Sequence, residues 1–174
     1  MNQFIKYFFI ASFLIISTDL FAQEKIAIMD LKYVLNQSKA GKGAQDFLKK
    51  SYNQNIKKFK DMETSLKKEE ADLLSKKTVL SKEEYTKKSD TLRKKVIDFR
   101  SQRRASMDKI TTQRAESRAT LIKSINPILE AYIKENNISV VIKKVNTLGG
   151  NPENDITKII VEKLNKVLPS LDLK

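Results

Sequence analysis

Few residues in this sequence could do chemistry, because it contains no Cys, no His and no Trp. Thiol nucleophiles, imidazole bases and the usual zinc ligands are therefore absent. The densest group of carboxylates is Glu69, Glu70 and Asp72, which follow Lys67 and Lys68. Paired carboxylates can act as general acid and base. On a Lys-rich helix the same residues more often balance surface charge, and we favour that interpretation.

A second candidate motif is the glycine-containing segment Ala40–Gly43 (AGKG). A phosphate-binding loop needs a longer spacing between its glycines and a Ser or Thr directly after the Lys. The segment has neither, so it does not predict nucleotide binding. We interpret it as a break between two helices, since glycine is a poor helix former.

The composition limits the class of protein. The chain has 174 residues, of which 32% are charged and only 7% are aromatic. This leaves little material for a large globular core. Together with the missing catalytic residue types, the composition argues against an enzyme, and no motif predicts a cofactor.

The first 22 residues have the pattern of a signal peptide. Lys6 precedes an apolar run over residues 7–16, and residues 17–22 lead into a charged segment. The sequence predicts cleavage after Ala22 and export of a soluble mature chain. An uncleaved membrane anchor is the alternative, but the apolar run is shorter than a spanning helix requires.

The strand signals lie at the two ends of the mature chain. Residues 25–29 (KIAIM) predict a strand, and Asp30 is placed to cap a short helix over residues 31–37. Near the other end, residues 138–145 (ISVVIKKV) predict a second strand, followed by a turn and a helix over residues 156–168.

Two or three short strands are too few for a stable sheet or a closed barrel. Strands from several copies would complete such a sheet. We therefore predict that residues 23–42 and 119–174 form a β-rich oligomerisation body. Its intersubunit contacts are expected at Ile26, Ile28, Val140 and Ile142.

The middle of the chain, residues 43–118, is predicted to be a helical hairpin. It lacks Pro, has no Gly after Gly43 and is rich in Lys, Glu, Leu and Ala. The helical pattern is lost over residues 75–80, and residues 81–84 (SKEE) have the sequence of a capping box that begins a new helix. Pro127 predicts a kink or a restart farther along that second helix.

Apolar residues of the hairpin recur at steps of four and three, which is the heptad pattern of a coiled coil. A hairpin folded about residue 79 places Phe59 opposite Phe99 and Met62 opposite Val96. The predicted seam of the first helix is Leu48, Tyr52, Asn55, Phe59, Met62, Leu66, Glu69 and Leu73. Its opposites are Ile110, Ser106, Arg103, Phe99, Val96, Leu92, Ser89 and Tyr85. The predicted fold is thus α+β and mostly α, with a long arm on a small body.

The predicted arm carries most of the positive charge. Residues 42–118 contain 22 Lys or Arg and 12 Asp or Glu, whereas the rest of the mature chain contains 11 and 8. A solvated helix surface accounts for part of this excess, but the excess also attracts acidic polymers, anionic headgroups or acidic proteins. The residues predicted to contact a partner are Lys57, Lys67, Lys68, Lys76, Lys77, Val79, Leu80, Lys87 and Lys88. For the two apolar residues of this set, closing the end of the hairpin is the simpler role.

The start of the predicted mature chain resembles the opening of the OmpH-like (Skp) family of periplasmic chaperones. The residues that carry this resemblance are 25–30 (KIAIMD), 34–35 (VL), Ser38 and 41–42 (GK). The later order is similar too, with a hairpin, a second strand and residues 155–157 (DIT) before a final helix. The resemblance implies a homotrimer with a β-rich body and three helical tentacles. These would surround a cavity that shelters unfolded outer-membrane proteins.

Three functional classes remain for such a chain. A holdase chaperone accounts for the export signal, the arm and the basic surface, and it needs no cofactor. Nucleic-acid binding is disfavoured, because the chain is predicted to be exported and its arm turns most aromatic residues into the seam. An envelope scaffold that binds anionic lipid or lipopolysaccharide is the open alternative, with no residue assigned to that contact.

Overall fold

The structure is a computed structural model that describes residues 24–173. The predicted signal peptide and its cleavage after Ala22 lie outside these residues. The elements are strand β1 (Lys25–Met29), helices α1 (Leu31–Gln37), α2 (Lys39–Ser75) and α3 (Lys82–Glu135), strand β2 (Ile138–Lys143) and helix α4 (Thr157–Val167). Short 3-10 turns occupy Lys144–Asn146 and Pro152–Asn154. The fold is mostly helical with a small sheet, as the sequence predicts.

The two long helices, α2 and α3, form the predicted hairpin. They contain 37 and 54 residues. Between them, Ser81 Oγ accepts a hydrogen bond from the Glu84 N–H, and the Glu84 carboxylate accepts one from the Ser81 N–H, both at 3.2 Å. The capping box that begins the second helix is therefore confirmed. Below, residues 43–118 are called the arm, and residues 24–42 and 119–173 the body.

The glycine-containing segment lies inside α2, so its interpretation as a helix break is wrong. The break is at Ser38, whose Oγ accepts from the Gly41 N–H at 3.2 Å. Asn165 of α4 caps the same helix end by accepting from the Lys39 N–H at 2.7 Å. Gly41 instead allows α1 to approach closely, because a Cβ atom there would lie 1.8 Å from the Leu35 carbonyl oxygen.

Of the two outcomes predicted at Pro127, a kink or a restart, the restart does not occur, because helix α3 is continuous there. Pro127 is exposed, whereas Ile125 and Ile128 beside it are buried. Burial of these neighbours holds the helix across the missing N–H, and solvent can hydrate the carbonyl left without a donor. The helix ends before Asn137, whose φ of 51° is the left-handed conformation common after helix C-termini.

Strands β1 and β2 pair in parallel, with Ile26 opposite Val140 and Ile28 opposite Ile142. The second strand ends at Lys143, earlier than predicted, because the chain turns into a 3-10 helix there. On β1, Ile28 also forms a bridge to Asp155. The sheet is thus a narrow ribbon of two strands extended by one bridge.

The hydrophobic core lies in the body. It contains Ala27, Met29, Val34, Leu35, Ala40, Leu121, Ile125, Ile128, Ile138, Ile156, Ile160 and Leu164. In the arm, by contrast, Phe59 and Phe99 are the only buried side chains between Leu48 and Ile110. The body thus provides a packed core, and the arm extends from it as a thin hairpin.

Candidate functional site

The seam between the arm helices has the predicted register at its centre. The rings of Phe59 and Phe99 pack edge to face with their centroids 6.0 Å apart. Leu48 and Ile110, another predicted pair, are both buried. Of the predicted seam positions, only Tyr52 and Arg103 are exposed. The Phe59–Phe99 pairing is therefore confirmed, while the pairing of Met62 with Val96 stays a prediction.

The two apolar residues at the hairpin tip, Val79 and Leu80, differ in side-chain exposure. The backbone N–H groups of Val79 and Leu80 both donate to the Lys76 carbonyl, at 3.1 and 3.0 Å. Leu80 is half-buried and closes the end of the hairpin, whereas the Val79 side chain is 81% exposed. Val79 is therefore better placed than Leu80 to touch another molecule.

All seven candidate lysines are exposed: Lys57, Lys67 and Lys68 on α2, Lys76 and Lys77 in the connection, and Lys87 and Lys88 on α3. The structure brings Lys76, Lys87 and Lys88 together along one groove between the helices. Lys67 lines the opposite side of the hairpin. Lys57 is 19 residues before Lys76, about 28 Å along the helix axis. The candidate set is thus a dispersed charged surface with one cluster near the tip.

Lys67 is also engaged within its own helix. Its Nζ lies 2.8 Å from a carboxylate oxygen of Glu63. That hydrogen bond and the opposite charge raise the pKa of Lys67 and lower the pKa of Glu63. The side chains of Lys67 and Glu63 are 72% and 46% exposed, so the pair mainly neutralises charge locally.

Two grooves run along opposite sides of the seam. The first, here the Lys groove, is lined by four Lys and three carboxylates: Lys76, Lys87, Lys88, Lys95, Glu69, Asp72 and Glu84. Across it, Lys95 Nζ lies 2.6 Å from the Glu69 carboxylate, which links α3 to α2. Positive and negative charges almost balance in the Lys groove.

The second groove, here the Arg groove, has a different chemistry. Its charged lining is Lys67, Arg93, Arg100, Arg103 and Arg104 against Glu63 and Glu70. Two large apolar side chains at its edges, Leu74 and Ile97, are 57% and 58% exposed. Sequence reasoning singled out lysines and missed these arginines. The signal was present, because all six arginines of the chain lie between Arg93 and Arg118.

The carboxylates considered for acid–base chemistry do not converge. Glu69 and Asp72 line the Lys groove, whereas Glu70 lines the Arg groove. Within residues 24–173, no cluster of carboxylates is placed to hold a metal ion. Over the same residues, no helix has the length and apolar character needed to cross a membrane.

The four predicted oligomerisation residues share one face of the sheet. Ala27 and Met29 alternate with them along β1 and point into the core. On the other face, Ile26 and Val140 are 43% and 45% exposed, and their neighbours on both strands, Ile28 and Ile142, are half-buried. The body therefore presents an apolar sheet face that its own helices do not cover.

An ion pair fixes the loop beside this face. Lys144 Nζ lies 2.6 Å from the Asp155 carboxylate. Burial raises the pKa of Asp155, but hydrogen bonds from Lys144 and Thr157 outweigh it, so the pKa is lowered overall. The same hydrogen bond raises the pKa of Lys144. The pair ties the end of β2 to the start of α4.

The chain is similar to known proteins over most of its length. The model of the family described as outer membrane protein (OmpH-like) matches residues 25–164. The chain belongs to the OmpH-like family. The resemblance carried by its opening residues is therefore confirmed. The family is one of chaperones, and its members are periplasmic, which supports a chaperone role for this chain.

Two individual OmpH-like proteins extend the match. A Skp-like protein of Pseudomonas aeruginosa is 23% identical over 171 residues, covering 96% of this chain and 99% of that protein. A crystal structure from Caulobacter crescentus, described as a candidate outer membrane chaperone (OmpH-like), superposes with a TM-score of 0.80 at 19% identity. The superposition covers 88% of this chain and 90% of the other, so the two share the same fold.

Proposed function

We propose that this OmpH-like chain is a periplasmic holdase that binds unfolded outer-membrane proteins and prevents their aggregation. The observation that carries the proposal is the arm. Between Leu48 and Ile110 it buries only Phe59 and Phe99, and with 21 Lys or Arg against 12 Asp or Glu it leaves an excess of nine positive charges in solvent. Such an arm attracts a client by long-range charge and can bend to suit clients of different size.

The holdase is proposed to act as a homotrimer. A two-stranded sheet is marginal by itself, and parallel sheets are normally covered on both faces. Packing the face that carries Ile26, Ile28, Val140 and Ile142 against other copies would cover it. The number of three copies follows from the family resemblance and not from the geometry of one chain.

The proposed client contacts are the seven candidate lysines with Val79 and Leu80. Lys76, Lys87 and Lys88, which share the Lys groove, and the exposed Val79 are best placed among them. Because these charges are exposed, capture should slow as salt increases, while release changes less.

The proposal also includes export with cleavage after Ala22. N-terminal sequencing of the protein from the periplasmic fraction should then begin at Gln23. Recovery of an intact Met1 in membranes would contradict this part of the proposal.

The experiment that tests the function is suppression of aggregation. A urea-unfolded outer-membrane barrel protein is diluted into buffer with or without the mature chain, and light scattering is followed. The holdase proposal predicts that scattering is suppressed.

The excess of positive charge also favours a second function, an envelope scaffold on anionic lipid or lipopolysaccharide. Unchanged scattering, together with binding to anionic vesicles, would favour that second function.

A further inference from the structure

The arginines of this chain are arranged in a way that its composition does not explain. Lys outnumbers Arg by 28 to 6, yet all six arginines lie on α3 within the arm. Five of them fall on positions separated by alternating steps of four and three, which is one face of a helix. The positions of this face, here the Arg stripe, are Arg93, Ile97, Arg100, Arg104, Met107, Thr111, Arg114 and Arg118.

The part of the Arg stripe from Arg93 to Met107 forms one wall of the Arg groove. Arg93, Arg100 and Arg104 line that groove together with Ile97 and Met107. The floor comes from the seam residues Leu66, Leu73, Leu92 and Val96. Three cationic and two apolar side chains therefore share the wall of a recess with an apolar floor.

The stripe cations are available to a ligand. Arg93 and Arg104 have partners within their own helix, Asp90 at 2.9 Å and Asp108 at 3.9 Å. Their side chains are nevertheless 72% and 87% exposed. Over residues 24–173 no ion pair holds Arg100. Exposed pairs of this kind are weak and exchange readily with a competing carboxylate.

We infer that the Arg groove is a docking site for an extended client segment in which apolar and acidic side chains alternate. The guanidinium group binds a carboxylate through two parallel hydrogen bonds, which the ammonium group of Lys cannot do. Charge complementarity therefore selects the acidic positions, and the apolar floor accepts the others. The inference rests on the proposed function and names the kind of client segment that the arm holds.

The dimensions agree with a single extended chain. On α3 the residues that line the Arg groove run from Tyr85 to Met107, which is about 33 Å along the helix axis. An extended segment of about ten residues covers that length. Membrane-barrel strands are about that long and alternate apolar with polar side chains, so strands with Asp or Glu at their polar positions have the required pattern. A membrane surface is flat and would touch the helix ridges without reaching the recessed floor.

The Lys groove shows why the assignment is specific to one side. There, four lysines face three carboxylates, and the Lys95–Glu69 bond already joins the two walls. It lacks exposed apolar residues comparable to Leu74 and Ile97 among those that line it. The two sides of one hairpin thus differ in both net charge and apolar surface.

The test uses matched variants of the full mature chain. R93Q/R100Q/R104Q removes three charges from the Arg groove. K94Q/K109Q/K123Q removes three charges from exposed positions of α3 that line neither groove. The probes are three labelled peptides of equal length and equal apolar content, with Glu, Gln or Lys at the alternate positions. Circular dichroism checks that each variant keeps its helix content.

Fluorescence anisotropy should show that the parent prefers the Glu peptide over the Lys peptide. R93Q/R100Q/R104Q should bind the Glu peptide about tenfold more weakly and the Gln peptide within about twofold of the parent. K94Q/K109Q/K123Q should lose less than about threefold for the Glu peptide. R93K/R100K/R104K keeps the charge but loses the planar guanidinium groups. Its affinity for the Glu peptide should lie between those of the parent and R93Q/R100Q/R104Q. L74A/I97A should weaken binding of all three peptides.

Three results would overturn the inference. Equal losses in the two charge-removal variants would mean that only the net charge of the arm attracts clients. Unchanged binding in L74A/I97A would mean that the apolar edge of the groove is not used. Loss of binding to phosphatidylglycerol vesicles in R93Q/R100Q/R104Q, with the Glu peptide unaffected, would assign the arginines to an anionic membrane surface.

The aggregation assay separates failure of this inference from failure of the function. If the parent and the Arg-groove variant both suppress aggregation and bind the three peptides alike, the holdase stands and the inference is wrong. If the parent neither suppresses aggregation nor binds any peptide, the proposed function fails, and the inference fails with it.

Discussion

The body and the arm of this protein use similar apolar residues but bury them differently. Twelve buried apolar side chains form a single cluster in the body. The five buried in the arm are spread from Ala44 to Ile110. A buried core residue touches neighbours on every side, whereas a seam residue touches one facing helix. The body can therefore fold as a cooperative unit, while the arm can open locally.

The polar contacts show the same difference. In the body, the Asp30 N–H donates to Thr157 Oγ1 at 2.9 Å, and the Ile156 N–H donates to the Ile28 carbonyl at 3.0 Å. These bonds join elements that are far apart in sequence. In the arm, the Lys95–Glu69 ion pair is a charged contact between exposed side chains. We infer that stability resides in the body and that the surface available to clients resides in the arm.

The largest expected effect is in the body core. Ile160 has no exposed surface, so Ile160→Ala should lower the free energy of unfolding by about 4 kcal/mol. Ile159→Ala is the matched control, because its neighbouring side chain is 39% exposed, and it should cost less than about 1 kcal/mol. Urea unfolding at fixed protein concentration measures both. Similar costs would contradict the placement of the core.

The next effect compares the two glycines at the start of α2. Gly41→Ala should cost about 3 kcal/mol, because the added Cβ would meet the Leu35 carbonyl oxygen at 1.8 Å. Gly43→Ala meets nothing within 4 Å and should stabilise the protein by about 1 kcal/mol, as helix propensity predicts. The same urea titrations decide between them. Stabilisation by both substitutions would mean that α1 does not pack as closely as described.

A smaller effect is expected for the arm seam, and it should stay local. Phe59→Ala removes one of the two buried rings and should lower the free energy of local opening by about 2 kcal/mol. Hydrogen exchange should then accelerate in residues 49–109 and remain unchanged in α4. Ile56→Ala, at a 41% exposed position on the same helix, is the control and should change exchange little. Faster exchange throughout the body would show that arm and body unfold together.

The smallest effect concerns charge. Because the pKa of Asp155 is lowered in the folded chain, its carboxylate stabilises the body above the ordinary Asp pKa of about 4. That contribution is lost as pH falls through the lowered folded pKa. Asp155→Asn should therefore cost about 1 kcal/mol at neutral pH and flatten the loss of stability in acid. Glu63→Gln, which breaks an exposed pair in the arm, should leave urea unfolding unchanged at every pH. Equal effects of the two substitutions would mean that the ion pair in the body contributes no more to stability than the exposed pair in the arm.

The sequence predicts the local features of the fold well. Strand β1, the Asp30 cap and the capping box at Ser81 depend on neighbouring residues, and all three are present. The facing of Phe59 and Phe99 follows from heptad spacing once the turn is located. Signals that act within a few residues, or repeat along one helix, can therefore be interpreted without the tertiary structure.

The errors have a common cause in tertiary contacts. Gly41 looks like a helix breaker until the Leu35 carbonyl of α1 is placed beside it. At Pro127 the sequence allows a kink or a restart, and the restart does not occur because the burial of Ile125 and Ile128 holds the helix on both sides. The parallel direction of β2, for which no prediction was made, also depends on where the hairpin returns the chain.

The candidate site was predictable in part. Exposure of the basic residues follows from the seam, but their division into two unlike grooves depends on the rotation of each helix. The spacing of Arg93, Arg100 and Arg104 was visible in the sequence. The predicted contact residues were chosen by the density of positive charge, which favours the lysines, and the regular spacing of the arginines was not used.

The most direct test of the division between body and arm is a chain in which residues 43–118 are replaced by a short Gly–Ser linker. All twelve members of the core cluster lie outside the deleted segment. Light scattering should find the same number of copies per particle as in the parent, and the armless chain should fail to suppress aggregation of an unfolded outer-membrane barrel protein. A monomer, or full suppression of aggregation without the arm, would contradict the account.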